Sequence, residues 1–190
     1  MEMLKKKILE DAEILPGSVL RVDSFLNHQV DVALLSECGK IWFELFKDAG
    51  ITKILTIESS GIGIACLTAQ YFGVPVVYAK KSRSATIGND FYSTKVVSYT
   101  HGQSYEIFIS KKFINPDDRI LIIDDFVANG SALKVLINLA EKGGAKVLGA
   151  GVAIEKLDKE GGKMLRELGY RVESLAKIKS LDGGKIEFED

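Results

Sequence analysis

The chain lacks a surplus of charge of either sign: 25 Lys and Arg stand against 26 Asp and Glu over 190 residues, a formal net charge of -1. A protein whose main work is neutralising nucleic-acid phosphates carries a basic excess, so this balance argues against a nucleic-acid partner and leaves small anions open. Cysteine is scarce. Cys38 and Cys66 both fall in helical patterns and form no metal spacing such as C-x-x-C, which predicts two buried thiols in a reducing compartment. No apolar run approaches the roughly 20 residues that span a bilayer, and Met1 to Glu10 is too charged for a signal peptide. A cytoplasmic protein with no membrane partner is therefore expected. No repeat, low-complexity tract or linker divides the sequence, and no P-loop motif occurs. Gly61 and Gly63 do not open a dinucleotide fingerprint, because Cys66 stands where its third glycine should fall. The hydrophobic content, 46%, suffices for one core, so residues 1–190 are expected to form a single domain.

Apolar periodicity gives the outline. Leu4, Ile8, Leu9 and Ala12 recur at helical spacing before Pro16-Gly17, and an extended segment through Leu20 and Val22 follows. From Asp31, an N-cap residue type, Leu34, Leu35, Cys38, Ile41, Trp42, Leu45 and Phe46 follow one helix face until Gly50, which predicts Trp42 in the core. Ile54–Ile57 reads as a strand, Ile62–Phe72 as a helix stopped by Gly73, and Val76–Tyr78 as a second strand. Lys80 to Asp90 is polar and without period; Phe91–Tyr99 and Tyr105–Ile109 then read as a hairpin turned at Thr100-His101-Gly102-Gln103. A strand from Ile120, a helix Ser131–Lys142 stopped by Gly143-Gly144, a strand Val147–Ile154, a short helix Lys163–Leu168 and a strand Tyr170–Leu175 complete an α/β alternation. Its expected form is a mostly parallel twisted sheet flanked by helices.

One stretch carries chemistry. Ile120-Leu121-Ile122-Ile123 is a strand apolar on both faces, and Asp124-Asp125 at its C-terminal end are expected to project from the sheet edge into solvent, where open α/β sheets bind ligands. Beyond them Ala128, Asn129, Gly130, Ser131 and Ala132 are small enough for backbone N–H groups to converge on an anion at the start of a helix. A single Asp here is an ordinary helix cap. Two adjacent ones repel unless hydroxyls or a cation share them, so the pair with its loop reads as a site for a sugar phosphate. Glu58-Ser59-Ser60-Gly61 repeats the small-residue turn before a helix, a pattern that also suits a plain connection. Lys80, Lys81 and Arg83 open the polar excursion and can reach over an anion when a loop closes, or remain solvated charges.

Asp124 to Ala132 resembles the signature of the type I phosphoribosyltransferases: a hydrophobic strand, two acidic residues and a small-residue loop that grips phosphoribosyl pyrophosphate (PRPP). Within the purine branch, the likeness is greatest to the members acting on xanthine, running from Leu15-Pro16-Gly17 through Tyr170-Arg171-Val172-Glu173-Ser174-Leu175. It implies the type I fold with a small hood, from about 1–30 plus C-terminal segments, and a flexible lid over about 80–110. It also implies purine salvage: transfer of phosphoribosyl from PRPP to xanthine with Mg²⁺, giving xanthosine 5′-monophosphate and pyrophosphate, in a homodimer. By the resemblance Asp124 and Asp125 face the ribose hydroxyls, and Ala128 to Ala132 hold the 5′-phosphate. Ser59, Ser60 and Gly61 seat the pyrophosphate, often around a cis peptide; Lys81 contacts pyrophosphate or base; and Leu20, Asn27 and Lys156 form the base pocket. Tyr92, Lys95 and His101 fall in the lid and carry no assigned chemistry, and no direct protein ligand to the metal is assigned.

The chemistry agrees with that assignment. Loss of pyrophosphate from an anomeric carbon builds positive charge on the sugar and negative charge on the leaving group, which carboxylates and cations stabilise. Asn27 can donate to a carbonyl oxygen, and Lys156 favours a base rich in carbonyl acceptors or partly anionic, as xanthine is. Read without the resemblance, Asn27-His28 is a loop before a helix and Lys156 a surface lysine. The sequence departs from the pattern at Leu157-Asp158, where relatives place an aromatic that stacks on the purine. Guanine, hypoxanthine and, least well, adenine remain alternative bases. A PRPP-sensing gene regulator is the alternative outside catalysis, although only about 30 residues precede the first long helix, too few for a separate DNA-binding module.

Overall fold

The structure, a computed structural model, describes residues 1–82, 90–97 and 104–189. Helix α1 (Glu2–Asp11) leads into a hairpin of β1 (Glu13–Leu15) and β2 (Val19–Arg21), turned at Pro16-Gly17-Ser18. Gly17 and Ser18 carry positive φ there, 82° and 57°. A π-helical turn over Asp23–Asn27 precedes α2 (Val32–Phe46), whose N-cap Asp31 accepts the Leu34 N–H at 3.0 Å as its residue type predicts.

The alternating part follows: β3 (Lys53–Ile57), α3 (Ser60–Phe72), β4 (Val76–Ala79), an antiparallel hairpin of β5 (Phe91–Val97) and β6 (Ser104–Ser110), then β7 (Arg119–Val127), α4 (Ser131–Lys142), β8 (Lys146–Lys156), α5 (Gly161–Glu167) and β9 (Val172–Ser180). A last strand, β10 (Glu187–Phe188), pairs antiparallel with β9. The main sheet has the order β10-β9-β8-β7-β3-β4, and its other four pairings are parallel. The hairpin β5-β6 is a separate two-stranded sheet, tied on by an isolated bridge between Lys80 and Phe108. Its expected turn lies outside the described residues. Strand β9 reaches Ser180 rather than Leu175, β8 reaches Lys156 rather than Ile154, α3 begins at Ser60 rather than Ile62, and β10 is an additional strand that the periodicity does not predict.

The central strands show why the sheet is doubly covered. In β7, Leu121 and Ile123 belong to the core shared with α2 and α3, while Ile120 and Ile122 belong to the core shared with α4 on the other face. All four are fully buried, so the unbroken apolar run has a partner for every side chain. Space for α2 comes from β8. A Cβ on Gly151 would stand 2.8 Å from the Trp42 ring, and one on Gly149 would stand 2.6 Å from Phe46, so glycine lets two aromatics lie on the strand. Trp42 is in the core as predicted, with its indole N–H donated to the Glu173 carbonyl at 3.2 Å. Truncating such a ring costs roughly 3–5 kcal/mol.

The two cysteines part company. Cys38 is fully buried and its thiol is pushed up to about 12, chiefly by burial. Cys66 is exposed, contrary to expectation, because the buried stripe of α3 runs through Gly61, Ile64, Ala65, Thr68 and Ala69 and misses position 66. Among the described residues no helix is long and apolar enough to cross a membrane.

Candidate active site

The C-terminal ends of β3 and β7 adjoin in the parallel sheet, and each feeds a tight turn into a helix. Asp124 and Asp125 lie within β7 and are 3% and 7% exposed, so they do not project into solvent as the sequence suggested. The strand continues to Val127, paired with β8 through Glu155, and the elements around its end close over the carboxylates. The Asp125 backbone N–H donates to Asp124 Oδ1 at 3.0 Å. Asn27, from the N-terminal segment, donates through Nδ2 to Asp125 Oδ2 at 3.0 Å. Burial first, and the adjacent Asp125 second, hold the Asp124 carboxyl well above the usual carboxylate range, while the Lys81 cation works in the opposite direction.

Glycine makes the crowding possible. A Cβ on Gly61 would lie 2.1 Å from Thr56 Oγ1 and 3.0 Å from Asp124 Oδ1, so only glycine lets α3 start this close to the two strand ends. The Glu58–Ser59 peptide before it is cis, as the resemblance implied. The Glu58 carboxylate accepts the Lys81 N–H at 2.5 Å, which ties this turn to the segment after β4.

After β7, Gly130 takes φ 77° and caps α4 without a side chain, leaving the helix opening to other acceptors. Asn129 Oδ1 accepts the Ser131 N–H at 3.0 Å, so an anion seated here competes with Asn129 for that donor.

One cavity of about 280 Å³ gathers Ser60, Lys81, Asp124, Asp125, Asn129, Ser131 and Ala132. Ala128 and Gly130 line an adjoining concavity over the same loop. Phe126 lines both. In the sequence it stands one residue past the carboxylates, where the alternation marks it only as a strand residue, and not after Lys156, where the resemblance places the stacking aromatic. Ile57, Ile107 and Val135 add apolar wall. Ser59 and Gly61 belong to the turn beneath without lining the cavity. Lys80 is held at the bridge to Phe108, with its ammonium 5.8 Å from the Tyr78 ring, and Arg83 and His101 lie outside the described residues.

The expected base residues divide. Asn27 reaches the carboxylates directly. Lys156 is 8% exposed, so it is no surface lysine; its ammonium donates to the Ser18 carbonyl at 2.7 Å and stands 3.9 Å from Asp158. With Ser18, Asp158 and residues around Leu181 it lines a smaller recess of about 70 Å³. Leu20 is buried in β2, opposite Ile14. Among the described residues no group of three or more His, Cys, Asp or Glu is placed to hold a metal ion.

The chain thus carries a buried carboxylate pair beside a glycine-capped helix start at one end of a mostly parallel sheet. The profile of the phosphoribosyl transferase domain matches residues 27–181, so the chain belongs to the phosphoribosyltransferase family, and its fold is the type I fold. It is 52% identical to a xanthine phosphoribosyltransferase of Ruminiclostridium cellulolyticum over 190 residues, covering 100% of both chains. It is 53% identical to a protein of the same name from Lachnoclostridium phytofermentans, covering 96% of this chain and 94% of that one. Among solved structures, the APRTase of Giardia lamblia superposes with a TM-score of 0.78 at 22% identity, covering 93% of this chain and 98% of that one, a likeness of fold.

Proposed function

We propose that this chain transfers the 5-phosphoribosyl group of PRPP to xanthine, forming xanthosine 5′-monophosphate and pyrophosphate in purine salvage. The observation that carries the reading is the single cavity in which Asp124 and Asp125 stand beside the loop opening α4. The named relatives, alike over the whole chain, favour xanthine as the acceptor.

In this reading Ala128 to Ala132 seat the 5′-phosphate through backbone N–H groups and the Ser131 hydroxyl. Asp124 and Asp125 take the ribose 2′ and 3′ hydroxyls. A carboxyl held protonated, as burial favours for Asp124, can donate to a hydroxyl oxygen as well as accept from one. Ser59, Ser60, Gly61 and Lys81 receive the pyrophosphate. Phe126 gives the purine an apolar surface beside the sugar site, taking the part that Leu157-Asp158 leaves open. Leu20, Asn27 and Lys156 define the base edge, with the Lys156 ammonium suited to the carbonyl-rich, acidic xanthine ring. The bond between the anomeric carbon and the pyrophosphate oxygen breaks, a bond to a purine nitrogen forms, and that nitrogen loses its proton.

Mg²⁺ would be held through PRPP rather than by a protein cage, because this ion keeps several waters and is commonly bound by substrate phosphates, and the acidic lining of Asp124 and Asp125 is compatible with a cation there. When bound with PRPP it offsets the charge developing on the leaving pyrophosphate. We read residues 1–190 as one domain, in which α1, the β1-β2 hairpin and the Asp23–Asn27 turn form the hood and about 80–110 the lid, working as a cytoplasmic homodimer.

The test is kcat/KM for pyrophosphate release with xanthine, guanine, hypoxanthine and adenine. Xanthine is expected to lead, followed by the other 6-oxopurines. A preference for adenine would overturn the pocket assignment, and absence of turnover with all four would overturn the enzyme.

A further inference from the structure

Helix α5 has no part in the chemistry above, yet it touches the phosphate loop backbone to backbone. The Gly161 N–H donates to the Ala128 carbonyl at 2.9 Å. A Cβ on Gly161 would stand 2.2 Å from that oxygen and 2.3 Å from the Gly130 nitrogen. From the loop side, a Cβ on Gly130 would meet the Met164 methyl at 3.1 Å and the Gly161 carbonyl at 3.2 Å. Glycine thus faces glycine across a contact that admits no side chain.

The next residue meets a buried ion pair. A Cβ on Gly162 would lie 1.9 Å from Glu155 Oε1. Glu155, at the end of β8, is 1% exposed and receives two parallel hydrogen bonds from Arg166 of α5, at 2.8 and 2.6 Å. Ser174 of β9 donates to the same carboxylate, and Arg166 Nε donates to the Val172 carbonyl at 3.1 Å. A helix of 7 residues is therefore pinned to two strands at one end and abuts the loop at the other.

The consequence follows from peptide geometry. In a planar trans peptide the carbonyl and the N–H point in opposite directions. Gly161 draws the Ala128 carbonyl toward α5, so the N–H of Asn129, on the same peptide, is turned to the opposite, ligand side. We propose that α5 is a positioning element for the phosphate loop: Gly161 sets the Ala128–Asn129 peptide so that its N–H faces the 5′-phosphate of PRPP, and the Glu155–Arg166 pair holds α5 in register. The proposal rests on the reading of Ala128 to Ala132 as the 5′-phosphate seat.

The experiment compares Gly161→Ala, Arg166→Ala and Arg166→Lys with Ser131→Ala, reading KM for PRPP, KM for xanthine, kcat and Tm. Gly161→Ala and Arg166→Ala are expected to raise the PRPP KM about tenfold or more and the xanthine KM less than about twofold, the scale of a misplaced binding group. Arg166→Lys, which keeps the charge but not the paired donors, falls between them and wild type, and serves if the alanine variants do not fold. Ser131→Ala probes the seat itself. If it raises the PRPP KM while the Gly161 and Arg166 variants only lower Tm, α5 is structural and the proposal is overturned. If all leave the PRPP KM unchanged, the phosphate seat lies elsewhere and the proposal falls with it.

Discussion

The sugar-phosphate side of the site and the base side are built differently. The first consists of two strand-turn-helix units, Ile54 to Ile64 and Ile120 to Leu133, each contiguous and brought together by the pairing of β3 with β7. The second is assembled from distant pieces: Asn27 lies 98 residues from the Asp125 it bonds, and Lys156 lies 138 residues from the Ser18 carbonyl it holds. A local unit carries its geometry in its own sequence, whereas an assembled one depends on the packing of everything between its parts. On the proposed function, the reaction class resides in the compact half and the choice of base in the dispersed half. Substitutions in the two halves should accordingly separate.

Replacing the carboxylates tests the compact half hardest. Asp125→Asn is expected to lower kcat on the order of 100-fold or more, the size of a lost electrostatic partner in a water-poor site, and Asp124→Asn, which replaces a carboxyl that burial favours in its neutral form, to lower it less, both measured by pyrophosphate release. They should differ in stability. Because burial raises the Asp124 carboxyl, its ionisation opposes folding, and stability falls as pH climbs from the unfolded carboxyl range through the folded value. Asp124→Asn removes that penalty, so its Tm at pH 7 should exceed the wild-type value, with the gap closing in acid. A lower Tm at pH 7 would refute this origin of the shift.

The dispersed half is tested by Lys156→Ala. Loss of a charge-assisted donor is expected to raise the xanthine KM roughly 10- to 100-fold with the PRPP KM nearly unchanged. An equal rise in both would erase the division between the halves.

A smaller effect concerns Glu155, behind the phosphate loop. Burial alone would raise its carboxyl, but hydrogen bonds from Arg166 and Ser174 and the nearby Arg166 and Lys177 charges hold it below the ordinary value. A lowered carboxyl contributes stability that is present above the unfolded value and is lost as pH falls through the folded one. Glu155→Gln should therefore lower Tm at neutral pH and converge with wild type in acid, seen in melts across pH. The smallest effect is chemical: under native conditions iodoacetamide should label Cys66 and spare Cys38, and mass spectrometry of the digested protein would detect the reverse.

Much of this was legible before folding. The helix of Trp42 and the strand of Ile120 to Ile123 are local patterns and stand where the periodicity predicts, and the carboxylates follow that strand as expected but are buried rather than projecting into solvent. Other features were not legible because their signal lies in neighbours distant in sequence. Cys66 sits in an apolar helix yet faces outward, since the α3 stripe is set by what it packs against. Lys156 is of a residue type that usually stays at the surface and is buried here with its ammonium on the Ser18 carbonyl of the β1-β2 turn. Phe126 passed as one more apolar residue of a strand until two concavities opened beside it.

The alternation of strands and helices and the carboxylate-and-glycine pattern at the end of β7 are written in the sequence, because hydrophobic period, paired carboxylates and a small-residue turn act over a few neighbouring residues. Only the packed chain buries the two carboxylates and raises the Asp124 carboxyl, brings Asn27 to Asp125, holds Lys156 against the Ser18 carbonyl and sets α5 against the Ala128–Gly130 loop. Desolvation, long-range hydrogen bonds and glycine-to-glycine contact exist only once distant segments of the chain have been packed together.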